Sequence, residues 1–260
     1  MELDGFDGRV AIVTGGAGGI GRQTAETMRD LGAKVAVVDV REPEVPGCLG
    51  VQMDVTDPAS VRAGIDRIHT ELGVPAILVQ AAGIFRIEPF EETTIDSWNL
   101  SIGVNLTGAF LVAQAVLPLM REAGYRRVVT LGSSAGITGG AKSVAAYAAS
   151  KGGVMALAKS IASEYAPYGI TSNALAPSLI ETDMAAGIAD LVDRIPVGRL
   201  GKPADVGDLI TYLCSAHAGF ITGAVVDING GLPSRWPPRR FGVGILCTHK
   251  SVWSTIETFP

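Results

Sequence analysis

The sequence predicts an α/β fold, a doubly wound parallel sheet with helices on both faces, and three observations carry that prediction. Short apolar runs alternate with longer helical stretches almost from the start of the 260 residues. The runs are apolar throughout rather than at every second position, the mark of strands covered on both faces. A glycine-rich loop, TGGAGGIG at 14–21, joins the first run to the first helical stretch.

RVAIVT (9–14) reads as the first strand, and the stretch after the loop as a helix to about Leu31, stopped by Gly32. KVAVVD (34–39) is the second strand and GVQMD (50–54) the third. The connection VREPEVPGCL between them holds Pro43, Pro46 and Gly47, so a bare loop replaces the usual crossover helix. Asp57 caps and Pro58 opens a helix that runs through Glu71. AILVQAAG (76–83) is the fourth strand, Ser97 to Arg121 is mostly helix, and RVVTLGS (127–133) is the fifth strand. A helix of small and apolar residues covers 145–166, followed by TSNALAP (171–177) as the sixth strand. A helix from Pro203 to Ala216 then leads into AVVDING (224–230).

One domain, residues 1–232, contains this whole pattern. From Pro233 onward the chain changes character, with four basic residues, one acidic residue, two of the three tryptophans and no periodicity. Residues 233–260 are therefore set apart as an atypical tail, read as disordered or as the product of a shifted reading frame.

Apolar residues at 47% and charged residues at 18% suffice for a sizeable core. A net charge of −5 argues against a nucleic-acid-binding face. The start, MELDGFDGRV, is acidic and lacks the apolar stretch of a secretory signal. The longest apolar run, Gly108 to Met120, is interrupted by Gln114 and reads as too short to span a bilayer. Cys48, Cys214 and Cys247 are far apart, as are His69, His217 and His249. Neither a metal site nor a histidine-based triad is expected, and reduced thiols fit a cytoplasmic protein.

The glycine loop carries the first chemistry. Gly15 permits a tight turn, Gly19 lets backbone approach a pyrophosphate, and Gly21 lets helix and strand pack closely. The amides and dipole of the following helix then face the phosphates. Asp39 ends the second strand 18 residues after Gly21, where a carboxylate accepts hydrogen bonds from an adenosine ribose. A carboxylate there repels a 2′-phosphate, so NAD is expected rather than NADP, although Arg41 lies two residues on. YAASK (147–151) carries the second. Tyr147 and Lys151, four apart, share a helix face, and a cation beside a phenol favours the phenolate.

Taken in order, these motifs resemble the classical short-chain dehydrogenase/reductase family over roughly Asp7 to Gly231. TGGAGGIG is similar to that family's TGxxxGxG loop, with Thr14, Gly15, Gly19 and Gly21 in register and Ile20 between them. Asp54-Val55 resembles the adenine-contacting pair, NLTGAF supplies Asn105, and Tyr147 with Lys151 form YxxxK. APSLIETDM (176–184) resembles PGxxxTxM, which implies that Pro177, Ile180 and Thr182 lie at the cofactor, the last two beside the nicotinamide carboxamide. GSSAG offers two serines. Counting back from Gly136 gives Ser133 and counting from Tyr147 gives Ser134, and Ser133 is preferred because Gly136 and Gly139 then both fall in register. The family's NNAG is QAAG here, so only Ala82 and Gly83 survive and the bonding that steadies the central sheet is expected to differ.

The resemblance implies an oxidoreductase that passes a hydride between NAD and a secondary alcohol or ketone. Tyr147 is then the general acid or base, Lys151 lowers its pKa and holds the nicotinamide ribose, Ser133 stabilises the substrate oxygen, and Asn105 holds a water linking Lys151 to solvent. The long segment from Ser178 to Gly201 reads as a substrate lid. A helix 145–166 that is apolar on several sides implies burial against a partner, hence a homodimer or, as in the family, a homotetramer. The alternatives are an idle NAD(H)-binding regulator, a cyclic dihydrodiol dehydrogenase and a 3-oxoacyl-thioester reductase.

Overall fold

The computed structural model describes residues 3–121, 125–182 and 189–232. The tail from residue 233 and the middle of the expected lid, 183–188, lie outside the described residues.

Seven strands form one parallel sheet: β1 (Val10–Thr14), β2 (Lys34–Asp39), β3 (Leu49–Gln52), β4 (Pro75–Gln80), β5 (Arg126–Leu131), β6 (Ile170–Pro177) and β7 (Val225–Ile228). Their order is β3-β2-β1-β4-β5-β6-β7, so the winding reverses between β1 and β4. In such sheets the crevice beyond the carboxyl ends at that reversal is where ligands bind. Thr14 stands level with Val38 on one side and Gln80 on the other, which brings Thr14, Asp39 and the residues after Gln80 to one rim.

Two cores sandwich the sheet. On one face α1 (Gly19–Asp30) and α7 (Pro203–Cys214) bring Ala25, Met28, Val206 and Ile210 against Ala11, Val13 and Val37. On the other, α2 (Pro58–Leu72), α4 (Gly108–Met120) and α6 (Ala145–Tyr165) bring Ile65, Val116 and Ile161 against Val10, Ile12 and Leu78. Alternate strand residues thus serve opposite cores, which explains why the strands read as unbroken apolar runs. Burying each large side chain contributes about 1.5–3 kcal/mol.

Asp57 caps α2 through a hydrogen bond from the Ala59 amide (2.9 Å), with Pro58 in the first turn as expected. The connection 40–48 holds no helix, also as expected. β4 is shorter than predicted. Ala81 and Ala82 leave the sheet to donate to the carbonyl and Oγ1 of Thr14, so they close over the glycine loop instead of extending the strand.

The helix expected from Ser97 begins at Ile95, as α3 (Ile95–Ile102), and widens into a π turn at Gly103–Thr107 before α4. The combined 26 residues are, by length and composition alone, sufficient to cross a membrane, so the shortness read from Gly108–Met120 does not hold. In the fold its α4 part packs in the core, with Val112, Val116, Leu117 and Met120 buried against the sheet, while α3 buries only Ser101.

Candidate active site

The first turn of α1 offers its amides outward. Gly18 precedes it without a side-chain cap, and no acidic residue lies in that turn. Gly15 and Gly19 have φ of +66° and +52°, which an L side chain rarely adopts. A Cβ on Gly15 would lie 2.6 Å from the Ala82 backbone, and one on Gly21 would lie 2.3 Å from the Gly15 carbonyl. Beside Gly18, by contrast, the space is open. Uncapped amides at the mouth of a close-packed glycine turn fit a pyrophosphate.

The other predicted cofactor residues gather around that turn. The Asp39 carboxylate accepts from the amides of Ala17 (3.3 Å) and Val40 (2.8 Å), which fixes it at the loop. Ile20 is half-buried against the first core. Asp54 is exposed and accepts from the amide and hydroxyl of Thr56, while Val55 is buried beneath Gly108, where a side chain would strike its methyl. Pro177 ends β6, and Ile180 is buried and bridges to Gly201. Thr182 reaches across to Gly19, its methyl 3.4 Å from where a Cβ there would stand.

Across the crevice lie Ser133, Tyr147 and Lys151. Ser133 ends the stretch after β5 and caps the short helix α5 (Ser134–Thr138), accepting from the Ala135 amide. Its side chain also acts on the Tyr147 phenol, whereas Ser134 lies within α5 and its carbonyl accepts from the Thr138 hydroxyl. Burial holds the Tyr147 phenol above its ordinary pKa, and the nearby Ser133 side chain acts in the opposite direction.

Lys151 is buried, and burial lowers its pKa to about 8. Its Nζ donates to the Leu131 carbonyl (2.8 Å) and stands 5.9 Å from the centre of the Tyr147 ring. The i, i+4 spacing therefore brings the two near each other, while the direct partner of the ammonium is a strand carbonyl. Gly83 gives this cation room, since a methyl there would stand 3.2 Å from both Lys151 Nζ and Asn105 Oδ1.

Asn105 sits in the π turn, buried, and uses its side chain on protein groups. Oδ1 accepts from the Ile84 amide (2.8 Å), and Nδ2 donates to the Ile84 carbonyl (3.0 Å) and to Ser150 (2.9 Å). A widened turn lets one helical residue reach out of the helix, which is a recurrent use of π turns at functional sites.

Sequence reasoning marked Gln80 only as a departure from NNAG and passed over Phe85 and Glu88. Gln80 accepts from Thr130 (3.0 Å) and donates to the Ala109 carbonyl (2.7 Å), linking β4, β5 and α4 just past the π turn. The departure from NNAG thus brings a different link that reaches from sheet to helix. Phe85 packs edge-on against Tyr147, with ring centres 4.8 Å apart. The Glu88 amide donates to the carbonyl of Ser143 (2.7 Å), a residue at φ +66°, and the Glu88 carboxylate binds Ser97 and Arg86. No sequence motif marks Phe85 or Glu88; the switch from QAAG to an apolar, acid-rich segment was the available signal.

Fold and crevice together define the class: a Rossmann-type oxidoreductase that works with a nicotinamide dinucleotide. Residues 15–233 match a family model described as enoyl-(acyl carrier protein) reductase. The chain is 36% identical to 3-oxoacyl-[acyl-carrier-protein] reductase FabG of Escherichia coli, over 87% of this chain and 98% of that protein. Among solved structures it is similar to aldohexose dehydrogenase of Thermoplasma acidophilum, at 32% identity and a TM-score of 0.86, covering 91% and 98% of the two chains. It is also similar to 3-ketoacyl-(acyl-carrier-protein) reductase of Brucella melitensis complexed with NADH, at 30% identity and a TM-score of 0.83, covering 87% and 99%. The chain belongs to the short-chain dehydrogenase/reductase family.

Proposed function

We propose that this protein is an NAD-dependent oxidoreductase that interconverts a secondary alcohol and its ketone. The observation that carries the reading is the gathering of Ser133 and Tyr147 beside the buried Lys151 ammonium, whose Nζ stands 5.9 Å from the centre of the Tyr147 ring. The nicotinamide, when bound, gives or takes the hydride. The chain's own task is placement and proton traffic.

In reduction the substrate oxygen lies between the two hydroxyls. Ser133 donates to it as negative charge develops, and Tyr147 delivers the proton; in oxidation Tyr147 takes the proton back. Lys151 holds the nicotinamide ribose and, as an ammonium, favours proton loss from Tyr147. Asn105 serves through the Ile84 peptide and a water path to Lys151. Thr14, Gly15, Gly19, Ile20 and Gly21 hold the pyrophosphate side, Asp39 the adenosine ribose, Asp54 and Val55 the adenine. Ala82 and Gly83 line the middle of the cofactor, and Pro177, Ile180 and Thr182 the nicotinamide.

The Asp39 carboxylate at the loop supports NAD, as does the NADH carried by the Brucella relative. Exposed Leu100 and Phe110 on α3 and α4 support a homodimer or homotetramer in which a second copy covers them. The names of the relatives favour a second reading, reduction of a 3-oxoacyl thioester. NADH consumption across a ketone panel, with wild type and Tyr147→Phe side by side, tests the proposal. Turnover abolished by the substitution is the expected result, and equal turnover in both proteins would overturn the mechanism.

A further inference from the structure

We infer that Phe85 determines specificity at this site, and that the substrate is an uncharged ketone or alcohol bearing an apolar, ring-sized group beside its reacting carbon rather than an acyl chain on an anionic carrier. The inference rests on the reductase reading above. Asn105 grips Ile84 by both its amide and its carbonyl, so the next residue departs from a fixed peptide. The Phe85 ring then meets the Tyr147 ring edge-on, with planes at 79°. It keeps 37% of its surface exposed although it touches the residue that handles the proton. A rigid aromatic ring with an open flank at that point shields an apolar substituent from water and offers it an aromatic face or edge.

Charge on the same segment decides against a carrier. Between Ile84 and Trp98 the chain carries Glu88, Glu91, Glu92 and Asp96 against Arg86, and Arg86 is taken up by Glu88 at 2.9 Å. Glu91, Glu92 and Asp96 are exposed and have no cationic partner among the described residues. The Glu88–Ser143 backbone bond holds this segment against the loop that leads into Tyr147, where Lys142 supplies a single opposing charge. Phosphate groups or an acidic carrier approaching from this side meet net negative charge, whereas a neutral molecule does not.

Steady-state kinetics of the full chain with NADH test this, using acetophenone, acetone and acetoacetyl-coenzyme A as probes. Wild type is expected to turn over acetophenone with the highest kcat/KM of the three. Phe85→Ala lowers that value about tenfold and leaves acetone within about twofold, while Phe85→Leu recovers part of the loss. Preference for the thioester would overturn the inference and leave the reductase reading standing. An equal loss on acetophenone and acetone in Phe85→Ala would also overturn it, by marking Phe85 as a mere support for Tyr147. If none of the three turns over while fluorescence shows NADH bound, the reductase reading falls and the inference with it.

Discussion

The two ends of the parallel sheet are built on opposite plans. At the carboxyl end the chain accepts unfavourable features: Ser143 at positive φ, an uncapped helix start at Gly18, and a buried ammonium with one carbonyl for a partner. At the amino end the groups are closely paired. Tyr125 lies between the guanidinium groups of Arg9 and Arg127, at 4.0 and 4.2 Å from its ring centre, and its hydroxyl donates to the Cys214 carbonyl. Arg127 in turn donates to the carbonyls of Ser215 and Arg126. Around Tyr125 the polar groups are satisfied, although Thr171 Oγ1 and Ser172 Oγ, at the amino end of β6, are buried without a hydrogen-bond partner among the described residues; at the crevice an uncapped helix start and a buried ammonium are left ready for chemistry.

This contrast separates activity from stability, and substitutions can break it. The largest effect is expected from Tyr147→Phe, with kcat down about a thousandfold. NADH affinity and the melting temperature should stay close to wild type, because the lost hydroxyl supports little packing; a large drop in Tm would mean that the two ends are coupled. Next comes Tyr125→Leu at the opposite end. It removes two cation–π contacts and a half-buried hydrogen bond and lowers unfolding free energy by about 2–3 kcal/mol in urea titrations, with kcat per folded molecule unchanged.

Gln80→Leu, at the carboxyl end of β4 but bonded to β5 and α4 rather than facing the crevice chemistry, sharpens the comparison. It leaves the Thr130 hydroxyl and Ala109 carbonyl without their partner and costs about 1–2 kcal/mol in the same titration. A kcat loss larger than that of Tyr125→Leu would place Gln80 with the active end.

The smallest effect concerns Lys151. Burial lowers its pKa from 10.5 to about 8, so above pH 8 the unfolded chain binds more protons than the folded one at this residue, and stability rises with pH. From about pH 9 the Cys214 thiol, kept protonated by burial, opposes this rise. Between pH 8 and 9 wild type should therefore gain at most about 1.4 kcal/mol relative to Lys151→Met. Parallel slopes for the two proteins in pH-dependent urea unfolding would show that Lys151 keeps its proton.

Much of the fold was legible because burial on two faces forces unbroken apolar runs, as in KVAVVD and PAILVQ. Caps such as Asp57-Pro58 and stops such as Gly32 mark their positions by local chemistry. The π turn at Gly103–Thr107 was not legible, since it sits inside one continuous helical run and changes hydrogen bonding without changing hydropathy. The site residues stood out where each must be one residue type, as Gly15, Tyr147 and Lys151 must. Gln80 stood out only as a departure from NNAG and Phe85 not at all, because their partners depend on reach across space: from β4 to α4 in one case, from Ile84 to the Tyr147 ring in the other. The two serines at 133 and 134 were a matter of one position in the chain, and which of them touches Tyr147 is decided by the direction in which the chain leaves β5.

The strand order also has a consequence for how this protein is born. β1 pairs with β4, with Val10 beside Pro75, so the middle of the sheet cannot close until β4 has left the ribosome. Until then the apolar edge of β1 that β4 will cover is open, in a nascent chain that has already made the strands for the other side. Synthesis at about 5–20 residues per second leaves that edge exposed for several seconds, long enough for aggregation or chaperone capture to compete with folding.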